Sequence, residues 1–311
     1  MDTNRVKFVL GVLLVLFLWS LAYPAMIVAL GSFHPESLAL LRFLIASAVL
    51  AVFAYIKKIR LPDKNDFLVI FLCALFGIAI SQLMLLNGQK FTDAGTASLL
   101  MNTYPVFVAV FSSLMFREFI SSTKWLGILV SFCGILIVSF GRNGAFCINQ
   151  GTFLLLCCAI IVGLYDLEQK ELMKKYKPHE LTCYFVWIGT FILLIFSNVL
   201  VKDIVYATPD AIFSTVYLGI FSSVIASLLW ATLLRQTSAS SLSNCSYLTP
   251  FLSMLLAFVT LHQSPSIYAL IGGIVVVTGV TLMSFSRKIR LVILLQKKNL
   301  VRVYNRVYSK Y

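Results

Sequence analysis

Residues 90–142 reappear, without a gap, 145 residues later as residues 235–287. The overlay pairs Thr92 with Thr237, Ala94 with Ala239, Ser98 with Ser243, Pro105 with Pro250, Gly127 with Gly272, Gly134 with Gly279 and Phe140 with Phe285. Both copies sit in strongly apolar sequence, so the duplicated unit has to be a bundle of membrane spans. With 60% apolar and 12% charged residues, the chain carries more apolar surface than a water-soluble core could hide. The expected fold class is all-α and polytopic.

Hydropathy resolves into ten stretches able to cross about 30 Å of hydrocarbon as helices. They lie near 6–30, 37–56, 67–87, 95–116, 124–140, 151–169, 181–201, 211–233, 240–261 and 266–285. With a cytoplasmic N terminus, alternate loops and the tail collect 21 of the 25 Lys and Arg residues. The other side receives Lys90, Arg142 and Lys202, and Arg42 falls inside a span. The positive-inside rule therefore places both termini in the cytoplasm. Five spans per copy is an odd number, so the second copy starts on the opposite face. The expectation is two inverted five-helix repeats, 1–142 and 143–286, followed by a basic tail, 287–311.

The first span admits a second reading, because Arg5 and Lys7 before Phe8 to Leu18 and a small-residue stretch resemble a signal peptide. The uncleaved chain satisfies the charge rule and is preferred. There is no CxxC motif among the seven cysteines, so neither a disulfide framework nor a zinc site is indicated, and no cofactor is called for.

Several stretches resemble a known family. These are Lys90 to Leu100, Tyr104-Pro105-Val-Phe, Arg117-Glu118, Trp125-Leu-Gly127 and Gly134-Ile-Leu-Ile. Together they are similar to the signature of EamA domains in the drug/metabolite transporter superfamily. Leu40 to Leu44 looks like the arginine-phenylalanine motif of the same domain, and Trp19-Ser20 stands where tryptophan-glycine is frequent. The resemblance covers residues 5–286 and is stronger in the first copy. The second has His262-Gln263 where a glycine-glutamate pair is common. The resemblance implies a ten-helix carrier of small solutes, frequently an exporter of amino acids or other metabolites.

Pro105 and Pro250 are equivalent under the repeat, and each follows polar residues: Asn102, Thr103 and Tyr104 before one, Asn244, Ser246, Tyr247 and Thr249 before the other. A proline break at membrane depth is tolerated where protein or a wet cavity satisfies the freed carbonyl. These two helices are the expected substrate-facing walls, with ordinary helix packing as the alternative. Trp19, Gln82, Tyr165 and Trp230 could add hydrogen bonds and aromatic walls, as could Tyr23 and Asn87. Arg42 is expected to hold backbone carbonyls or an outer-face carboxylate such as Glu36 or Asp93, with direct anion binding as the alternative. Glu118 is taken as structural.

Asp166 and Glu168 are expected at the cytoplasmic mouth, in a solvated cluster with Lys170, Lys174 and Lys175. With no acid deep in a span, movement down the solute gradient without proton coupling is expected. No cation lies near either proline, which disfavours a phosphate substrate and favours a neutral or zwitterionic solute. An intramembrane enzyme is the main alternative, but there is no HExxH or GxSxG, and His34, His179 and His262 fall at loop ends. A membrane interaction protein without transport is a third class. The expected partners are a small-molecule substrate and the lipid bilayer, with no nucleic acid and a homodimer left open. The tail reads either as a basic amphipathic helix on the inner leaflet or as a disordered segment.

Overall fold

The computed structural model describes residues 3–115, 122–138, 150–237, 242, 244–279 and 281–282 of the 311-residue chain, and the regular structure among them is helical throughout. Glu118 and the tail from 287 lie outside the described residues. The main helices are α1 (Thr3–Leu30), α2 (Pro35–Lys57), α3 (Phe67–Ala74), α4 (Ser81–Gln89), α5 (Ala94–Met101), α6 (Tyr104–Met115), α7 (Ser122–Val138) and α8 (Gln150–Leu172). They continue with α9 (Pro178–Leu193), α10 (Ser197–Tyr206), α11 (Pro209–Tyr217), α12 (Ser227–Gln236), α13 (Thr249–Leu261) and α14 (Ile267–Gly279). Among the described residues, seven continuous helical segments are long and apolar enough to cross a membrane. Three shorter apolar helices, 125–137, 249–261 and 267–279, occupy the positions of the fifth, ninth and tenth sequence-predicted spans.

Helix starts follow local chemistry. Pro35, Pro178 and Pro209 each open a helix, where the missing N–H costs nothing and the fixed φ suits the first turn. The residue before each proline is extended, with ψ of 152°, 148° and 151° at His34, Lys177 and Thr208. These starts lie two or three residues ahead of those read from hydropathy, because the opening turns are polar. Asp93 caps α5 by accepting from Thr96 N at 2.8 Å. At the α2 start, the Asp203 carboxylate accepts from His34 N at 2.8 Å and from the Ser37 hydroxyl.

In lipid, helices associate through close packing rather than through the hydrophobic effect, so small residues mark the tightest contacts. Here α1 packs on α11 and α13, α4 and α6 on α8, and α2 on α9. A Cβ on Gly134 would stand 2.6 Å from Val276 N and 2.8 Å from Gly272 O; a Cβ on Gly279 would stand 2.6 Å from both Ser131 N and Gly127 O. The two contacts exchange partners under the 145-residue offset. Large apolar side chains such as Phe191, Ile195 and Phe213 are more than 70% exposed, as an outward face towards acyl chains requires.

Two π-helical runs interrupt the α-helical ladder, Leu75–Ile80 between α3 and α4 and Leu218–Ala226 between α11 and α12. Shifted by 145 residues, the first falls at 220–225, inside the second. Such wide turns re-aim side chains and recur at functional sites. The proline segments are broken rather than bent. α5 stops at Met101, Asn102 and Thr103 form a turn, and α6 restarts with Pro105 as its second residue. A 3-10 run, Asn244–Leu248, precedes α13, whose second residue is Pro250. Each proline thus stands where no ladder hydrogen bond is lost.

Candidate functional site

A cavity of about 210 Å³ lies at the centre of the helices, lined from both halves of the sequence. Its wall is built from helix faces with regular spacing. Trp19, Ala22, Tyr23 and Met26 come from α1, and Val162, Tyr165, Asp166 and Gln169 from α8, each an i, i+3, i+4, i+7 stripe. The π runs contribute Gly77 and Ile78 on one side and Ser222 and Ser223 on the other. α4 adds Gln82, the break before α6 adds Asn102 and Tyr104, and α12 adds Trp230.

Of the candidate residues, Trp19, Gln82, Asn102, Tyr104, Tyr165 and Trp230 line this one cavity. Pro105 and Pro250 are buried behind it and set the breaks that expose their neighbours. Asn244 and Tyr247 belong to the 3-10 run, and their side chains lie outside the described part of the chain. Asn87 turns back to Leu83 O at 2.9 Å and is not on the cavity wall.

Each wall residue is held by a second contact. The Trp19 indole donates to Ser222 O at 3.4 Å and lies 4.9 Å from the Trp230 ring, centroid to centroid. Asn102 Nδ2 donates to Ser98 O at 2.8 Å, which leaves its carbonyl for the cavity side. The Tyr104 hydroxyl sits 3.0 Å from Ser246 Oγ, joining the two proline segments. Tyr165 packs edge-on against Phe185 at 5.3 Å and accepts from Gln169 Nε2 at 3.2 Å. Among the described residues Gln169 Oε1 and Thr249 Oγ1 are buried without a hydrogen-bond partner.

Arg42 departs from the expected position. Its side chain is buried and reaches neither Glu36 nor Asp93; it enters the cavity wall, where Nε donates to Ser223 Oγ at 2.6 Å. One terminal nitrogen donates to Gln82 Oε1 at 2.8 Å and the other to Ser222 Oγ at 3.1 Å. The neutral hydroxyls and amide that stabilise it here are spread over two other helical segments, which sequence distance conceals.

Asp166 departs too. It is 4% exposed, lines the cavity, and has the Trp230 indole N–H facing its carboxylate. The lysines expected to surround it point elsewhere. Lys170 donates to carbonyls at the C-terminal end of α12, that of Leu234 and that of the cap residue Thr237 (2.7 Å). Lys174 pairs with Glu171, while Lys175 bridges Asp63 at 2.6 Å and Asp66 at 2.5 Å, contacts that hold its ammonium above its ordinary pKa.

A model of the EamA-like transporter family matches residues 6–140 and 149–285. The chain belongs to that family. Among its relatives, an uncharacterised transporter, YdfC, of Bacillus subtilis is 34% identical over 280 residues, covering 90% of this chain and 92% of that protein. A probable terminal-alkyne amino-acid exporter of Streptantibioticus cattleyicolor is 31% identical, covering 89% of this chain and 93% of that protein. One crystal structure matches with a TM-score of 0.66 at 20% identity, over 91% of this chain and 99% of that one, a likeness of fold alone. The EamA chain is thus a multi-pass membrane transporter, and as such it acts on small molecules from within a bilayer.

Proposed function

We propose that this EamA transporter moves a small organic metabolite, an amino acid or a similar neutral or zwitterionic solute, outward across the bacterial inner membrane by alternating access. Ten helices in two inverted five-helix repeats would rock about the central cavity, with both termini cytoplasmic. The observation that carries the reading is the cavity itself, which takes its walls from both halves and holds one buried cation and one buried carboxylate. The exchanged contacts of Gly134 and Gly279 and the matching π runs support two-fold related halves. The distribution of Lys and Arg supports the orientation. A relative described as a probable amino-acid exporter supports the solute class. An enzyme is the weaker reading, since this family's relatives are described as transporters.

Counterflow tests the proposal. Proteoliposomes preloaded with an unlabelled neutral amino acid, dipeptide or ω-amino acid should transiently accumulate the labelled form of the same solute. Failure of every solute to exchange above protein-free vesicles would overturn it.

A further inference from the structure

Arg42 is placed on the cavity wall by a close approach of two backbones. A Cβ on Gly219 would stand 2.8 Å from Ile45 Cβ and 3.0 Å from Arg42 O, so the glycine lets the second π run press against α2. About one turn further along that run, two serines meet the guanidinium: Ser223 Oγ accepts from Nε at 2.6 Å and Ser222 Oγ from one terminal nitrogen at 3.1 Å. The other terminal nitrogen donates to Gln82 Oε1 at 2.8 Å and lies 3.9 Å from the Met26 sulfur. All of these partners are neutral. Among the described residues, the nitrogen that bonds Ser222 uses only one of its two N–H groups on the protein.

No carboxylate of the described residues pairs with Arg42. The acids that share its surroundings are engaged elsewhere. Glu36 accepts from Asn87 Nδ2 at 3.4 Å, Asp93 caps α5, Asp203 holds His34 and Ser37, and Asp166 faces the Trp230 indole. Burying an ion costs several kcal/mol, and neutral partners offset only part of that. Tying two hydroxyls to an amide needs no charge, so packing alone does not account for a cation here. A cation kept on the wall of a solute cavity instead marks what passes through it.

We propose that Arg42 is the carboxylate-binding residue of the cavity, and that the solute this transporter moves must carry a carboxylate. The planar guanidinium matches a carboxylate through paired N–H donors. Phosphate fits less well, because Arg42 is the one cation among the described residues of the wall and a dianion would keep a charge unmatched. The proposal rests on the transport reading in taking this cavity as the solute's path. It narrows that reading by excluding neutral solutes without an acid group.

Calorimetric titration of the solubilised full chain with alanine, leucine and phenylalanine, with the amide of each, and with inorganic phosphate provides the test. At least one of the acids should bind, and at least tenfold more tightly than its amide and than phosphate. In Arg42→Gln the acid should fall to the affinity of its amide while the amide itself is unchanged, a change of ratio that loosened packing would not produce. Arg42→Lys, which keeps the charge without the fork, should recover part of the preference and show that the fold tolerates substitution there. An amide that binds as tightly as its acid, a preference that survives Arg42→Gln, or equal losses for acid and amide in that variant would overturn the proposal. So would tighter binding of phosphate, or no binding by any of the acids. Counterflow of a solute without a carboxylate beside such an outcome leaves the transport reading standing, whereas failure of every solute to exchange removes that reading too.

Discussion

Replacing Gly77 by Ala should have opposite effects on stability depending on the residue at position 165. A Cβ on Gly77 would stand 2.6 Å from Tyr165 Cγ and 2.8 Å from Cε2, where ordinary carbon contacts need about 3.5–4.0 Å. Cδ2 would be closer still, so the ring must move by about 1.5 Å, and Phe185 blocks one side while the hydrogen bond from Gln169 holds the hydroxyl. Overpacking of this kind costs about 1–3 kcal/mol. Removing a glycine from a helical interior returns about 0.5–1 kcal/mol. The net loss in the parent chain is therefore about 0.5–2 kcal/mol. With Tyr165→Leu the obstacle is gone, and Gly77→Ala should stabilise by about 0.5–1 kcal/mol. SDS titration of helicity in mixed micelles measures all four corners of the cycle. Additivity of the two changes within about 0.5 kcal/mol would refute the packing argument.

Three further outcomes are expected. His262 ends α13 with φ of 54°, the left-handed cap where glycine is favoured, so His262→Gly should raise stability by about 0.5–1 kcal/mol in the same titration; an unchanged or lower midpoint would count against it. Asp203→Ala removes the acceptor for His34 N and the Ser37 hydroxyl at the start of α2 and should cost about 1–3 kcal/mol, whereas a loss within experimental error would show that water replaces it. Asn102→Leu should lower counterflow at least tenfold at equal expression, while Val259→Leu on the exposed face of α13 should not; similar rates for both would move Asn102 into packing.

The fold was legible where periodicity and punctuation carry it. Apolar runs located the helices, and Pro35, Pro178 and Pro209 marked starts that hydropathy placed slightly late. The glycine–glutamate departure at His262-Gln263 now has a physical meaning, since His262 adopts the backbone conformation that a glycine there would adopt without strain. The site was legible in part. Aromatic and amide residues in mid-span, Trp19, Gln82, Tyr165 and Trp230, do share a wall. Arg42 and Asp166 were misplaced because their partners come from α4, α12 and the second π run, contacts invisible in linear sequence. The π runs themselves had no signature in hydropathy. With Asp166 on the cavity wall, the reason for expecting transport without proton coupling, the lack of an acid inside a span, no longer holds.

The claim that the central cavity is the transport pathway is tested most directly at position 82. In a cysteine-free background of the full chain, Gln82→Cys should react with a membrane-impermeant maleimide applied from either side of oriented vesicles. A transported solute should slow that reaction, and the labelled protein should lose counterflow. Full counterflow after complete labelling, or no labelling from either side in a transporting protein, would contradict the placement of the pathway.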